Sequence, residues 1–203
     1  MKIKLHKNDL PNNINFGKSV AIDTEAMGLN HTRDRLCLVQ LSSGNGVCHL
    51  VQILNNEIKP KNLIKLLKNK KILKIFHFAR FDVGILKHTF NINIENIYCT
   101  KIASKLTRTF TDKHGYKDLC KDLLNEEISK SQQTSDWGSN KLTLAQQKYA
   151  SIDVLYLHQI KDKLDKMLIR ENRVKLANAC FDFIKIRTDL DLSGWLEQDI
   201  FKH

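Results

Sequence analysis

Residues 20–25 read Val-Ala-Ile-Asp-Thr-Glu, a short apolar run that leads directly into two acidic residues. An apolar run of this kind is typical of a buried β-strand. Side chains two positions apart on a strand point the same way, so Asp23 and Glu25 should project together from the strand end. Two adjacent carboxylates near a core repel each other and lose hydration. The sequence therefore predicts either a divalent metal ion held by these oxygens or a wet polar turn that ends the strand.

Two further acidic positions lie next to predicted elements. Asp82 follows a predicted strand at 71–77 and begins a helix. The helix dipole favours a carboxylate there, so this position alone does not require a catalytic role. Asp153 lies four residues after Tyr149 in a helix predicted over about 143–171. Side chains at i and i+4 share a helix face, so this pair points toward one place, either a functional site or the protein surface.

The remaining hydrophobic patterns predict an α/β fold. A short edge strand within residues 1–18 precedes three strands that look antiparallel, and helices and strands then alternate before a helical C-terminal part. In such sheets, active carboxylates tend to gather at strand ends and on a flanking helix. We expect strands at about 19–25, 36–41, 47–53 and 71–77. Helices are expected at about 60–69, from about 81, and at about 98–106, 117–124, 143–171 and 172–185. Polar loops are expected at 107–115 and 129–140.

Composition limits the class of protein and its partners. A chain of 203 residues is long enough for one domain with a substantial core. The formal net charge of +11 favours a polyanionic partner, nucleic acid first, although abundant Lys, Asn and Ile are also typical of A/T-rich genomes. The five scattered cysteines argue against a disulfide framework or a zinc site. With no stretch of membrane-span length and no signal-peptide core, we expect a cytoplasmic protein that does not bind a membrane.

The acidic positions together carry a resemblance to a known enzyme family. The order and spacing of three motifs resemble those of the DEDDy 3′-to-5′ exonucleases, in the RNase D branch: Asp23-x-Glu25, His77-x-x-x-Phe81-Asp82 and Tyr149-x-x-x-Asp153. The similarity is greater to the nanoRNase C family, the compact bacterial members of this branch. It then extends to residues 33–37, 100–108, 135–137 and 190–195.

This resemblance implies a ribonuclease H-like (DnaQ-like) exonuclease fold, with a mixed central sheet flanked by helices. It also implies one 3′-5′ exonuclease domain over residues 1–203, whose C-terminal helices and tail at about 172–203 serve packing or oligomerisation. About 50 residues follow Asp153, too few for the additional C-terminal helical domains of RNase D. By the same resemblance the chain is expected to form a homo-oligomer, an octamer.

The chemistry of phosphodiester hydrolysis fits the same residues. It must stabilise charge on both the attacking and the leaving oxygen, which two metal ions do together. We assign Asp23 as a ligand shared by both ions. Glu25 and Asp153 then complete the ion that activates water, and Asp82 holds the second ion near the leaving 3′-oxygen. Tyr149 has an ordinary pKa of about 10, so it should orient a water molecule rather than act as the general base. The expected cofactors are two Mg²⁺ or Mn²⁺ ions in each active site, and the candidate catalytic residues are Asp23, Glu25, Asp82, Tyr149 and Asp153.

The resemblance also implies the substrate, which is very short RNA, dinucleotides above all, hydrolysed to nucleoside 5′-monophosphates. Leu29 lies where such enzymes place an apolar wedge between two bases, although it could equally pack within its turn. A site specific for dinucleotides must close off the 5′ phosphate with hydrogen-bond donors and an aromatic side chain. His77 and Phe81 are expected to pack or to line the cleft. The candidate substrate-binding residues are Leu29, His77, Phe81, Lys101, Arg108, Ser135 and Trp137.

Several alternatives remain open at the level of the sequence. Arg108 could be a solvated loop charge, and Trp137 could plug its loop against the core. A broader 3′-5′ exonuclease that trims longer RNA or DNA, as RNase D does, would carry the same catalytic residues. A catalytically silent nucleic-acid-binding module could keep the fold, although the presence of all five catalytic side chains argues against it.

Overall fold

In the computed structural model, residues 1–55, 57, 59–128 and 134–203 are described. Within them a mixed six-stranded sheet has the strand order β1-β4-β3-β2-β5-β6. The strands are β1 (Lys2–Lys7), β2 (Ser19–Ala26), β3 (Leu36–Ser42), β4 (Val47–Gln52), β5 (Leu73–Phe76) and β6 (Ile97–Cys99). The predicted α/β fold with a mixed central sheet is confirmed.

Strand β2 lies inside the sheet and carries the first acidic motif. It pairs antiparallel with β3 and parallel with β5. Its apolar residues Val20, Ala21 and Ile22 are fully buried, as the sequence predicted. The register places Asp23 opposite Gln40 of β3 and shifts after Glu25, so the paired strand ends at the acidic motif. A buried strand thus delivers two carboxylates to one edge of the core.

Helices pack against this sheet and against one another. They are α1 (Lys61–Lys68), α2 (Ala79–Phe90), α3 (Thr100–Thr107), α4 (Tyr116–Leu124), α5 (Leu144–Leu155), α6 (Leu157–Arg170) and α7 (Val174–Leu190), followed by a π-helical turn at Asp191–Trp195. Helix α5 packs against β2, β3 and β4, and α2 packs against β5, β6 and α7. Strand β3 is buried along its whole length, because neighbours cover both faces of the sheet there.

Two of the differences from the predicted boundaries change the number of elements. The helix predicted over about 143–171 is two helices, α5 and α6, which are separated at Tyr156. The helix predicted over 98–106 begins only at Thr100, because residues 97–99 pair with β5 as strand β6. Both differences have a tertiary cause, since neither segment contains a proline or glycine that would mark the boundary.

Three further features concern the cysteines, the helices and one loop. The five cysteines are free thiols. Among the described residues, no helix has the length and apolar character that crossing a membrane requires. The polar loop predicted over 129–140 falls partly outside the described residues, at 129–133.

Candidate active site

Three carboxylates from two elements meet at the end of the central strand. Asp23 and Glu25 leave the end of β2, and Asp153 lies in the last turn of α5. One carboxylate oxygen from each of the three lies within 4.8 Å of those of the other two. Such a group of oxygens is the donor set that Mg²⁺ and Mn²⁺ prefer.

Asp82 supplies a fourth carboxylate from the first turn of α2. It is buried, and its Oδ1 accepts a hydrogen bond of 2.7 Å from Thr24 Oγ1. Burial raises the pKa of Asp82 well above its ordinary value, and the charge of Asp23 raises it further. Asp82 therefore lies close enough to the β2 carboxylates to interact with them electrostatically, as the three motifs together predicted.

The carboxylates perturb one another strongly. Burial is the largest cause that raises the pKa of Glu25, and the charges of Asp23, Asp153 and Asp82 add to it. Burial likewise raises the pKa of Asp23, against a hydrogen bond from the Thr24 backbone that lowers it. Without a cation, these groups would hold protons that ordinary carboxyls release. A divalent cation would restore the ionised form, so the residues present fit a metal ion.

Neutral side chains hold two of these carboxylates in place. Gln40 Nε2 donates a hydrogen bond of 3.2 Å to Asp23 Oδ2, and Thr24 holds Asp82 as described above. The sequence reading missed both supporting residues. The sequence does contain a signal for Gln40, which is a polar residue within the otherwise apolar stretch 36–41. A polar side chain in a buried strand is expected to have a hydrogen-bond partner.

Tyr149 lies one helical turn before Asp153 on α5, as the spacing predicted. Burial raises the pKa of its hydroxyl above the ordinary value, and the charges of Asp153, Glu25 and Asp23 raise it further. Its hydroxyl therefore keeps its proton at neutral pH and can donate a hydrogen bond toward the carboxylate cluster. The ring of Tyr149 packs at 6.1 Å between centroids against Trp137.

A cleft of about 640 Å³ opens over the carboxylates. Of the predicted substrate-binding residues, those that line it are Leu29, His77, Phe81, Lys101, Ser135 and Trp137. Leu29 is 81% exposed, so it projects into the opening and is not packed within its turn. His77 is hydrogen-bonded through Nδ1 to Thr100 Oγ1 at 2.9 Å.

Arg108 is placed elsewhere, which corrects its predicted position in the cleft. Its guanidinium donates a hydrogen bond of 2.7 Å to the carbonyl oxygen of Lys113 and forms an ion pair with Asp122 of α4. The residue is only 2% exposed. Arg108 therefore fastens the 107–115 loop to α4 within this chain, and is neither a solvated loop charge nor a donor to the cleft.

The 134–137 segment, which brings Ser135 and Trp137 to the cleft, is anchored to the start of α5. Gln146 Nε2 donates hydrogen bonds to Ser135 Oγ at 2.8 Å and to the Asp136 carbonyl oxygen at 2.9 Å. The same glutamine forms a capping box with Thr143. Trp137 is buried against the core and also lines the cleft. The two positions considered for it from the sequence are therefore compatible.

Comparison with known proteins gives consistent matches. The profile of the 3′-5′ exonuclease family matches residues 6–169. Ribonuclease D of Bartonella henselae is 31% identical over 154 residues, which are 76% of this chain and 37% of that protein. The chain thus spans less than half the length of the curated ribonuclease D relatives that it matches.

Solved structures match over the full length. Brucella melitensis NrnC with bound Mg²⁺ is 52% identical with a TM-score of 0.95, and the match covers all of both chains. Brucella melitensis NrnC bound to pGG is 53% identical with a TM-score of 0.96, covering 100% of this chain and 99% of that one. Escherichia coli RNase D is 22% identical with a TM-score of 0.73 over 84% of this chain and 45% of that one, which shows the shared fold.

Proposed function

Since the chain belongs to the family of 3′-5′ exonucleases, and to the same family as Brucella NrnC within it, we propose that it hydrolyses very short RNA, dinucleotides above all, from the 3′ end to nucleoside 5′-monophosphates. The observation that carries this proposal is the cluster of Asp23, Glu25 and Asp153 at the floor of the cleft. The full-length similarity to a protein whose structure holds pGG, by its notation a 5′-phosphorylated dinucleotide, supports the substrate class.

The donor set fits two Mg²⁺ or Mn²⁺ ions. Asp23, Glu25 and Asp153 would hold one ion, and Asp23 together with Asp82 would hold the other. Two bound divalent ions supply an acidified water nucleophile and offset the charge that develops on the leaving 3′-oxygen. The bound Mg²⁺ of the similar Brucella protein supports this choice of metal.

Tyr149 contributes a donor that holds its proton. Because its pKa is raised, the hydroxyl can donate a hydrogen bond to an attacking water and orient that water toward the phosphorus. We expect Tyr149→Phe to lower kcat by about 10²-fold, the lower end of the loss when one positioned hydrogen-bond donor is removed from an active site. Mn²⁺ affinity, measured by titration calorimetry without substrate, should stay unchanged. A variant with full activity would exclude this role.

The shape and the charge of the cleft support a short substrate. Its volume of about 640 Å³ falls within the range of roughly 300–1,000 Å³ typical of pockets for small ligands. Lys101 lines the cleft and brings a positive charge for a phosphate group. Leu29 presents an exposed apolar side chain of the kind that can separate two bases, and the anchored Trp137 limits the space beside Tyr149.

The second candidate is a general exonuclease that trims longer RNA or DNA. The net charge of +11 and the ribonuclease D relatives favour it. Salt dependence separates the two functions. A long single strand releases several counterions, with a log–log slope of about −0.7 for each neutralised phosphate, whereas a dinucleotide should give a shallow slope.

The decisive experiment is a length series. RNAs of about two to seven nucleotides are labelled at the 5′ end and incubated with Mg²⁺ or with Mn²⁺, and initial rates are recorded. These lengths distinguish a closed site from an open groove. A dinucleotide cleaved much faster than the rest supports the proposal, whereas rates that are flat or rise with length favour the general exonuclease. Asp23→Asn serves as the matched control for contaminating nuclease. Binding without turnover, unchanged by a chelator, would instead indicate a silent binding module.

Self-association is part of the same proposal. Apolar side chains on α7 and the C-terminal tail are at least partly exposed, and large exposed apolar surface is typical of protein interfaces. They include Phe183, Ile186, Trp195, Ile200 and Phe201. We propose a cytoplasmic homo-oligomer, an octamer by family resemblance. Sedimentation at several protein concentrations tests it, and a monomer throughout would exclude it.

A further inference from the structure

The junction between α5 and α6 has an unusual cause. Helix α5 ends at Leu155 and α6 begins at Leu157, yet residues 144–170 contain no proline or glycine. Tyr116, at the start of α4, reaches this junction with its hydroxyl. The hydroxyl donates a hydrogen bond of 2.7 Å to the Ile152 carbonyl oxygen and accepts one of 3.2 Å from the Tyr156 amide.

These two backbone groups are the ones that a continuous helix would join directly. In an α-helix the amide of residue i bonds the carbonyl of residue i−4, so the amide of Tyr156 would bond the carbonyl of Ile152. The Tyr116 hydroxyl bonds to both groups and so bridges them. A side chain inserted into the backbone ladder is a recognised cause of helix kinks. The break in the helix therefore follows from a tertiary contact with Tyr116.

The insertion lies at a metal-binding position. The Ile152 carbonyl and the Asp153 amide nitrogen belong to the same planar peptide unit. A hydrogen bond to that carbonyl fixes the plane from which the Asp153 side chain departs. The hydroxyl of Tyr116 therefore constrains where the Asp153 carboxylate lies relative to the strand-borne carboxylates of the cluster.

Tyr116 is itself held firmly. The side chain is partly buried, and burial raises the pKa of its hydroxyl well above the ordinary value, so the group stays a donor. Its ring packs against His77 at 5.7 Å between centroids, and His77 is fixed by Thr100. Tyr116 thus connects the segment that leads into Asp82 with the helix that carries Asp153.

We propose that Tyr116 is a positioning residue, whose hydroxyl, inserted between α5 and α6, places Asp153 beside Asp23 and Glu25 so that the three carboxylates can share a divalent ion. This inference rests on the proposed function as a metal-dependent exonuclease. Tyr116 also lines the cleft, but the role proposed for it acts through Asp153 and not through contact with the substrate.

The test compares Tyr116→Phe with the wild-type chain. Without the hydroxyl, Ile152 and Tyr156 can bond directly, and Asp153 turns away from the cluster. We expect the Kd for Mn²⁺, measured by calorimetry without substrate, to rise about 10- to 100-fold, the usual cost of losing support for a metal ligand. For pGG, kcat at fixed Mn²⁺ should fall to a similar extent, while KM changes little.

Two controls separate positioning from stability. Tyr98→Phe removes another buried hydroxyl, which donates to Asp165 Oδ1 of α6 at 2.9 Å, and should lower Tm without changing Mn²⁺ affinity. Replacement of Tyr116 by para-aminophenylalanine keeps a hydrogen-bond donor to the Ile152 carbonyl oxygen at the same place, and should restore Mn²⁺ affinity. It also provides the measurement if the phenylalanine variant does not fold, because failure to restore affinity in a folded protein would contradict the inference.

The outcomes distinguish this inference from the proposed function. Equal Mn²⁺ affinity and kcat in Tyr116→Phe and wild type would overturn the positioning role and leave the exonuclease function intact. A flat length series would overturn the preference for dinucleotides and leave the positioning role intact, because Mn²⁺ binding is measured without RNA. A wild-type chain that binds no Mn²⁺ would overturn both.

Discussion

The protein buries carboxylates in two neighbouring places and treats their charge differently. Asp191, in the π-helical turn after α7, has a fully buried side chain. It accepts hydrogen bonds of 2.7 and 2.8 Å from Arg80 and pairs at 2.7 Å with Arg187. In the active-site cluster, the side-chain hydrogen bonds to Asp23 and Asp82 come instead from the neutral Gln40 and Thr24.

The two arrangements indicate different roles for the buried carboxylates. A buried carboxylate that is paired with arginines has its charge balanced inside the chain, so it needs no added cation to stay ionised. In the cluster, burial without a balancing charge raises the pKa values of Asp23, Glu25 and Asp82, and neighbouring carboxylates raise those of Glu25 and Asp82 further. Such a cluster is stable in its ionised form only with an added cation, which is the condition for a metal site.

The two places are also mechanically connected. Arg80 lies two residues before Asp82 on α2, and besides Asp191 it donates to the Leu196 carbonyl oxygen at 2.7 Å. Arg187 donates to the Trp195 carbonyl oxygen at 2.6 Å. The C-terminal segment is therefore fastened to α2, the helix that carries Asp82.

The largest expected effect comes from neutralising the cluster. Asp23→Asn removes a ligand that both metal ions would share, so we expect kcat/KM on a dinucleotide to fall by about 10³-fold, since a bound metal contributes several kcal/mol to the transition state. The same change relieves repulsion with Glu25, so the metal-free variant should have a higher Tm than the wild type. Kinetics with Mn²⁺ measure the fall in kcat/KM, and thermal melts with a chelator measure the Tm of the metal-free proteins.

The matched change at the other place should have the opposite effect on stability. Asp191→Asn leaves Arg80 and Arg187 close together without the carboxylate that pairs them, and breaking a buried ion pair in this way costs about 3–5 kcal/mol of unfolding free energy. Urea unfolding monitored by circular dichroism measures the loss. If Asp191→Asn proved as stable as the wild type, the distinction between balanced and unbalanced carboxylates would not hold.

The sequence predicted those parts of the site that depend on local spacing. The strand ending in Asp23-x-Glu25 and the i, i+4 pair Tyr149 and Asp153 follow from periods of two and 3.6 residues, which any strand or helix imposes. Most elements along the chain were predicted for the same reason, because strands β2 to β5 and most helices carry their own hydrophobic pattern, whereas the short strand β6 was not predicted.

The remaining features depend on contacts between distant parts of the chain. The break at Tyr156 is caused by Tyr116, 40 residues earlier, and the position of Arg108 is set by Asp122 in another helix. The pair between Arg80 and Asp191 spans 111 residues. No local pattern signals such partners, so the sequence predicted a continuous helix and a cleft position for Arg108, and it left Arg80 without a role.

The smallest expected effect is a pH dependence that only the cluster should produce. In the metal-free protein the folded state holds protons on Asp23, Glu25 and Asp82 at pH values where the unfolded chain releases them, above about pH 4. Stability from these groups is therefore complete below that pH and is lost as the pH rises through the raised folded pKa values, at up to about 1.4 kcal/mol per pH unit for each proton retained.

Comparing variants isolates this dependence from the histidines. Burial lowers the pKa values of His6 and His49 in the folded state. These residues therefore increase stability as the pH rises toward the ordinary histidine pKa of about 6.5. Melts with a chelator between about pH 5 and pH 8 (the range above the ordinary carboxyl pKa) should show a shallower loss for Asp23→Asn than for the wild type. Asp191→Asn, whose cluster is intact, should be less stable throughout but keep the wild-type slope.

Added Mn²⁺ should raise Tm most at the high-pH end, where the cluster is otherwise forced to ionise without a cation. Equal slopes for wild type and Asp23→Asn would mean that these carboxylates already have their charge balanced within the chain, as Asp191 does.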